Sequence, residues 1–156
     1  MSSLIEQAHA RQWFYSYGLP DGSTTPTYAG DDIQAIHNTR WQMLERCLDE
    51  RMGGDRASLK ALDLASHQGW FAVNLVRSGF GSVLGIDARE SHVDDSSLIR
   101  DIYGYKQLDF QQGDIHAQSE DKTGTFDLVL MLGLLYHLED PIGALRTCRE
   151  LCSGLC

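Results

Sequence analysis

Positive charge is scarce in this sequence: 13 lysines and arginines stand against 22 aspartates and glutamates, a formal charge of −9 over 156 residues. That balance excludes a basic nucleic-acid module, because contacts to phosphate supply most of such affinity. Proline occurs only three times, and neither a low-complexity tract nor an internal repeat is present. No apolar run approaches the roughly 20 residues that cross a bilayer, and the opening MSSLIEQAHARQW lacks the charged start and apolar stretch of a secretory signal. A cytoplasmic protein without membrane attachment is the expectation. Cysteine is confined to Cys47, Cys148, Cys152 and Cys156, with neither the CxxC pairs of a zinc site nor the density of a disulfide scaffold. Reduced and mostly buried thiols are therefore expected, and no metal. Cys148, Cys152 and Cys156 would share a helix face if the last helix ran that far.

What is present is the composition of a packed globular domain, 42% hydrophobic and 22% charged. Residues 1–57 read as an N-terminal arm and helix, and residues 58–156 as an α/β domain. From Gln12 to Gly30 the arm is aromatic at first, with Trp13, Phe14, Tyr15 and Tyr17, and then rich in turn formers. It either packs its aromatics on the domain or serves as a flap over a ligand. Asp31 and Asp32 offer a cap and a favourable dipole charge to a helix with Ile33, Ile36, Arg40, Leu44 and Cys47 on one side and Trp41 and Leu48 adjacent, closing at Gly53-Gly54.

From Ser58 short apolar runs alternate with helical patterns. Strands are predicted over 59–64, 82–86, 107–111 and 126–132. Helices are predicted over 69–78, over 91–103 with Ser91 as a cap, and from Pro141 onward with Ile142, Leu145, Cys148, Leu151 and Cys152 on one face. This alternation implies right-handed βαβ crossovers and a Rossmann-like, doubly wound, mostly parallel sheet covered on both faces.

Ligands of such sheets sit at the carboxyl ends of the strands, so four strand-to-helix turns are informative. The first, LDLASHQGWF, sets Asp63 at a strand end and Gly69 at a helix start, where free N–H groups face a ligand. Ala65 and His67 break any GxGxxG pattern, which disfavours a dinucleotide-dependent oxidoreductase. The second, GIDAR, places the Asp87 carboxylate where ribose hydroxyls could donate to it, or where it caps the next helix. In the third, QGDI, Asp114 could accept from an exocyclic amine while Ile115 packs on a flat base, or could simply be a turn residue. The fourth, FDLVLMLGLLYHLEDP, ends a buried strand at Gly133 and follows it with Tyr136 and His137.

These four turns, in this order, resemble class I S-adenosylmethionine-dependent methyltransferases. LDLASHQGWFAVNLVRSGFGSVLGIDAR with FDLVLMLGLLYHLEDP is similar to a bacterial group related to tRNA wobble-uridine carboxymethyl- and methyltransferase-like proteins. The likeness runs from about Leu59 to Leu151, with an upstream match at PDGSTTP. It implies S-adenosyl-L-methionine as cofactor. Asp63 would orient the methionine amino group, and Ala65 and Gly69 would border that moiety. Asp87 would hold the ribose, Asp114 the adenine amine, and Ile115 the adenine face. Leu132 and Gly133 would lie near the sulfonium, with Tyr136 and His137 toward the acceptor. Ala65 and His67 stand where the common motif has glycines, and His67 must either point away from the ligand or touch it.

A sulfonium-borne methyl is already electrophilic, so the protein must mainly align an acceptor and exclude water. For a hydroxyl acceptor a base is also needed, and His137 is the chemically suited residue, unless it is only a structural part of its turn. The resemblance implies a seven-stranded sheet, whereas only Ser153–Cys156 follow the last helix, as the start of a fifth strand. The sheet is thus expected to be incomplete, its fourth strand an exposed edge that invites a homo-oligomer. Two functions compete: a methyltransferase acting on an unidentified acceptor, a small molecule or another, and a non-catalytic truncated adenosyl-binding or assembly module. Methyl and carboxymethyl transfer both stay open.

Overall fold

A computed structural model describes residues 3–156. At its centre is a five-stranded, wholly parallel sheet in the order β3-β2-β1-β4-β5, built from β1 (Lys60–Leu64), β2 (Ser82–Asp87), β3 (Leu108–Gln112), β4 (Phe126–Leu130) and β5 (Cys152–Leu155). The helices are α1 (Leu4–His9), α2 (Asp31–Met52), α3 (Trp70–Arg77), α4 (Glu90–Tyr103), α5 (Glu120–Thr123) and α6 (Pro141–Leu151). The doubly wound α/β architecture expected from the alternating pattern is borne out.

Strand alternation sorts the side chains into two cores. Ala61, Val83, Leu108, Phe110, Leu128 and Leu130 face α3, α4 and the arm, whereas Leu62, Leu64, Ile86 and Val129 face α6. Asp63 and Asp87 follow the parity of Ala61 and Val83, so both carboxylates lie on the α3, α4 and arm side. β1 is flanked by β2 and β4, and the chain leaves them in opposite directions. That is the switch point at which a crevice opens above the carboxyl ends of the strands.

The arm and α2 share the first of these cores. Trp13, Tyr15, Tyr17 and Leu19 are all buried, and the Trp13 indole N–H donates to the Ala8 carbonyl at 2.8 Å. α1 was not foreseen, although Ser3 and Glu6 cap it reciprocally.

Several expectations need correction. The fourth strand is not an edge: β5 pairs with β4 through Phe126↔Cys152 and Leu128↔Leu155, and becomes the edge itself. β4 ends at Leu130, which leaves Leu132 and Gly133 in the loop beyond it. The buried side of α2 is His37 and Leu48 with Trp41 and Leu44 partly covered, whereas Ile36 and Cys47 are exposed. Spacing allowed both stripes, and the aromatic arm selects the one carrying rings. α6 buries Ala144, Thr147, Cys148 and Leu151, leaving Ile142 and Leu145 outside. It stops at Leu151, so Cys152 opens a strand and the three late cysteines share no helix face. Cys47 and Cys156 are exposed thiols, and only Cys148 and Cys152 are buried. Ser91 caps nothing, because α4 already begins at Glu90 after Arg89. Asp31 and Asp32 lie in the first turn of α2 behind Gly30, where they favour the dipole without capping.

Candidate functional site

The turn joining β1 to α3 is built on three alternate left-handed residues: Ala65 at φ 58°, His67 at φ 52° and Gly69 at φ 84°. Only glycine adopts this region freely, so the loop holds a glycine-type path with two residues that strain to follow it. Gly69 has a second reason to lack a side chain. A Cβ there would come within 2.6 Å of the Phe110 ring and 2.8 Å of Ser96. The bare backbone of Gly69 thus makes room for β3 and α4.

Asp63, the last but one residue of β1, is 2% exposed, and its Oδ2 has no hydrogen-bond partner. Burial pushes its carboxyl up to about 7, opposed by the Ala72 backbone N–H and reinforced by Asp87. An orphaned buried carboxylate oxygen is costly unless a cation or donor completes it.

Asp87, at the tip of β2, is well supplied by the protein. Its Oδ2 accepts from the His67 backbone N–H at 2.8 Å, and its Oδ1 accepts from the Arg89 N–H at 3.0 Å and from His92 Nδ1 at 3.1 Å. Burial raises this carboxyl, but the bonds from His92, Arg89 and His67 together bring it below the usual range. His92 lies in turn against His67, with ring centroids 3.9 Å apart. Burial and then His92 lower the His67 imidazole to about 4, so it is neutral at physiological pH.

The arm closes over this corner. Phe14 and Tyr15 lie 5.4 and 5.6 Å from His67, and Tyr15 stacks on Trp70 at 5.7 Å. On the α2 side His37 sits 5.0 Å from Phe14 and 4.8 Å from Tyr15, buried, with neither ring nitrogen bonded. Gln68 fastens the loop to the arm. It accepts from Phe14 N–H at 2.7 Å, donates to the Gln12 carbonyl at 3.0 Å and to Asp95 at 2.8 Å, and its own carbonyl accepts from the Tyr17 hydroxyl at 2.6 Å. Arg11 completes the fastening through Asp95 at 2.6 Å.

The other sequence-predicted residues follow the carboxyl ends of β3 and β4. Asp114 Oδ1 accepts from His116 N–H at 2.9 Å, capping the short 3-10 turn Ile115–Ala117, and Ile115 is buried. Leu132 is 43% exposed and Gly133 takes φ 72°. Tyr136 and His137 occupy a second 3-10 turn, Leu135–His137, outside the core; Tyr136 is 79% exposed and lies against the His137 ring at 4.2 Å. The sequence alone does not single out His37, Gln68, His92 or Asp95: the partners of His37, Gln68 and Asp95 are distant in the chain, and that of His92 becomes a partner only once the strand-to-helix turn is formed. The nearest signal was the +5 position of His92 after Asp87, which puts it on the first turn of a helix facing the strand tip. Among the described residues no group of histidines, cysteines and carboxylates is arranged for a metal, and no helix is long and apolar enough to cross a membrane.

Comparison with known proteins gives this geometry a family context. Residues 37–154 match the model of a family described as a methyltransferase domain. The ubiquinone biosynthesis O-methyltransferase of Acinetobacter baumannii (strain AYE) is 28% identical over 104 residues, 67% of this chain and 43% of that protein. The tRNA U34 carboxymethyltransferase of Trichodesmium erythraeum (strain IMS101) is 34% identical over 92 residues, 58% of this chain and 28% of the relative. Among solved structures, the N-terminal domain of EvdMO1 with SAH bound superimposes with a TM-score of 0.69 at 20% identity, covering 90% of this chain and 56% of that one. The chain spans less than half the length of these two curated relatives.

Proposed function

This chain belongs to the methyltransferase-domain family, and from that premise we propose that its crevice binds S-adenosyl-L-methionine and directs methyl transfer to a small hydroxylated acceptor. The observation that carries the reading is the orphaned Asp63 Oδ2, a buried anionic acceptor without a partner at the switch point of the sheet. An α-ammonium supplies the charge and the donor that this atom lacks.

When bound, the cofactor supplies a methyl group already activated by its sulfonium. In this reading Asp63 orients the methionine amine, with Ala65 and Gly69 bordering it. Asp87 accepts from the ribose. Asp114 uses the oxygen not engaged with His116 for the adenine amine, and Ile115 covers the base. Leu132 and Gly133 border the transfer point at the end of β4, and Tyr136 and His137 face the acceptor, His137 as the base. The neutral aromatic wall of Phe14, Tyr15 and Trp70 excludes water from that corner.

A hydroxylated small molecule suits the O-methyltransferase relatives, and the charge of −9 disfavours RNA as the acceptor of this segment. The free thiols of Cys47 and Cys156 fit a reducing cytoplasm.

Calorimetric titration tests the binding claim. S-adenosylhomocysteine should bind saturably, NAD should not, and Asp87→Ala should abolish the heat. A folded chain that takes up no S-adenosylhomocysteine overturns the reading.

A further inference from the structure

The Asp87 carboxylate carries more donors than a ribose-binding group needs. A carboxylate offers about four lone-pair sites, and here His67 N–H, Arg89 N–H and His92 Nδ1 occupy three of them. Two of these donors are backbone groups fixed by the turns that carry them. The third is a side chain on the first turn of α4, and it alone can leave without unfolding a turn. A vicinal diol that donates to both oxygens must therefore take its second acceptor site from His92.

The ring is not free to leave unnoticed. The His92 side chain is 14% exposed and its ring lies 3.9 Å from the His67 imidazole, centroid to centroid. His67 is itself part of the strained loop and contacts Phe14 and Tyr15 of the arm. Asp95, one turn further along α4, is held by Gln68 and Arg11. Releasing Asp87 thus separates a ring pair that touches every element of the corner: the loop, α4 and the arm.

We infer that His92 competes with the ligand at the adenosyl site, as an internal occupant of the Asp87 carboxylate that ligands bearing a ribose diol must displace. Binding of the diol turns the His92 ring away from Asp87, and the freed His67 face carries the event to Phe14 and Tyr15. Ligands without the diol leave the pair in place. This inference rests on the reading of Asp87 as the ribose acceptor.

Two measurements on the 156-residue chain test it, with S-adenosylhomocysteine as probe. In the parent labelled with 15N-histidine, saturation with the probe should shift the His92 Nδ1 resonance as its carboxylate bond is lost. Unchanged His92 resonances at saturation overturn the proposal, and this measurement needs no variant to fold. The second uses His92→Leu, which keeps bulk against His67 but donates nothing. With that competitor gone, the variant's dissociation constant should fall about tenfold, which is about 1.4 kcal/mol. His92→Gln, which retains an N–H, should stay nearer the parent. A folded His92→Leu that binds no tighter than the parent overturns the proposal while leaving the ribose assignment intact. Asp87→Ala separates the two: if it binds the probe as the parent does, the ribose assignment itself fails and the inference falls with it.

Discussion

Asp63 must be charged to hold a cation, yet burial favours its neutral form. Its carboxyl sits at about 7, so affinity for S-adenosylhomocysteine should rise as pH climbs through that value and level off above it. Titrations between pH 5.5 and 8.5 check this, and Asp63→Asn should bind weakly with a flat profile. Stability runs the other way. With the folded value above the unfolded one of about 3.9, the native state holds the extra proton between the two. The contribution of Asp63 is therefore present at low pH and lost as pH rises toward 7. Asp63→Asn should accordingly melt above the parent at pH 8, and scanning calorimetry showing it lower would refute the buried-charge account. His67, lowered to about 4, contributes oppositely: its share is present above the unfolded value of about 6.5 and is lost as pH falls toward 4. At the same loop, backbone sign decides the outcome of substitutions. Gly69→Ala combines a φ of 84° with a Cβ 2.6 Å from Phe110, and should cost about 3 kcal/mol in urea unfolding. Ala65→Gly relieves a left-handed alanine of about 1 kcal/mol while loosening the unfolded chain by a similar amount. It should change stability little and bind the adenosyl ligand at least as well.

The loop between β1 and α3 and the arm behave as one element because Gln68 joins them. Its side chain makes three bonds from a position 3% exposed. Gln68→Ala strands the Phe14 N–H and the Gln12 carbonyl, at a cost of about 2 to 4 kcal/mol. Amide exchange should then quicken over residues 12–17 before it does in β1, whereas uniform quickening would mean that the latch is not local. This joint marks the limit of what the sequence discloses. The strands and the crossovers are legible, since each follows from local periodicity, whereas the aromatics of the arm could be read as packing on the domain or as a flap. The loop is legible only through the family resemblance, whose common motif has glycines where Ala65 and His67 stand. The buried stripes of α2 and α6 are not, because two stripes fit the spacing and only the packed partner chooses between them. Gln68 carries no pattern, and His92 only its place five residues after Asp87. Their roles come from atoms 54 and 5 positions away in the chain, and only the fold supplies those pairings.

At the scale of the whole molecule the question is how the sheet meets solvent. An open parallel sheet invites strand addition where an edge is long, flat and apolar. The apolar β4, which would make such an edge, is covered by β5 through a pairing whose register shifts between Phe126 and Leu128. β5 has four residues, Ser153 and Gly154 exposed, so its outer side offers a short polar template. The opposite edge, β3, exposes Asp109, Gln111 and Gln112, and Asp109 bonds to Arg100 at 2.9 Å. Neither edge suits indiscriminate pairing, and a charge of −9 repels like copies most strongly when salt is low. The expected outcome is a single-chain mass by light scattering at 20 to 200 mM salt, on the order of the range over which the Debye length shrinks to about 7 to 20 Å. If mass grows as salt is added, charge was masking an attractive edge. Ser153→Lys, which adds a charge to β5, would then restore the monomer if that edge is β5, and leave the mass unchanged if it is β3.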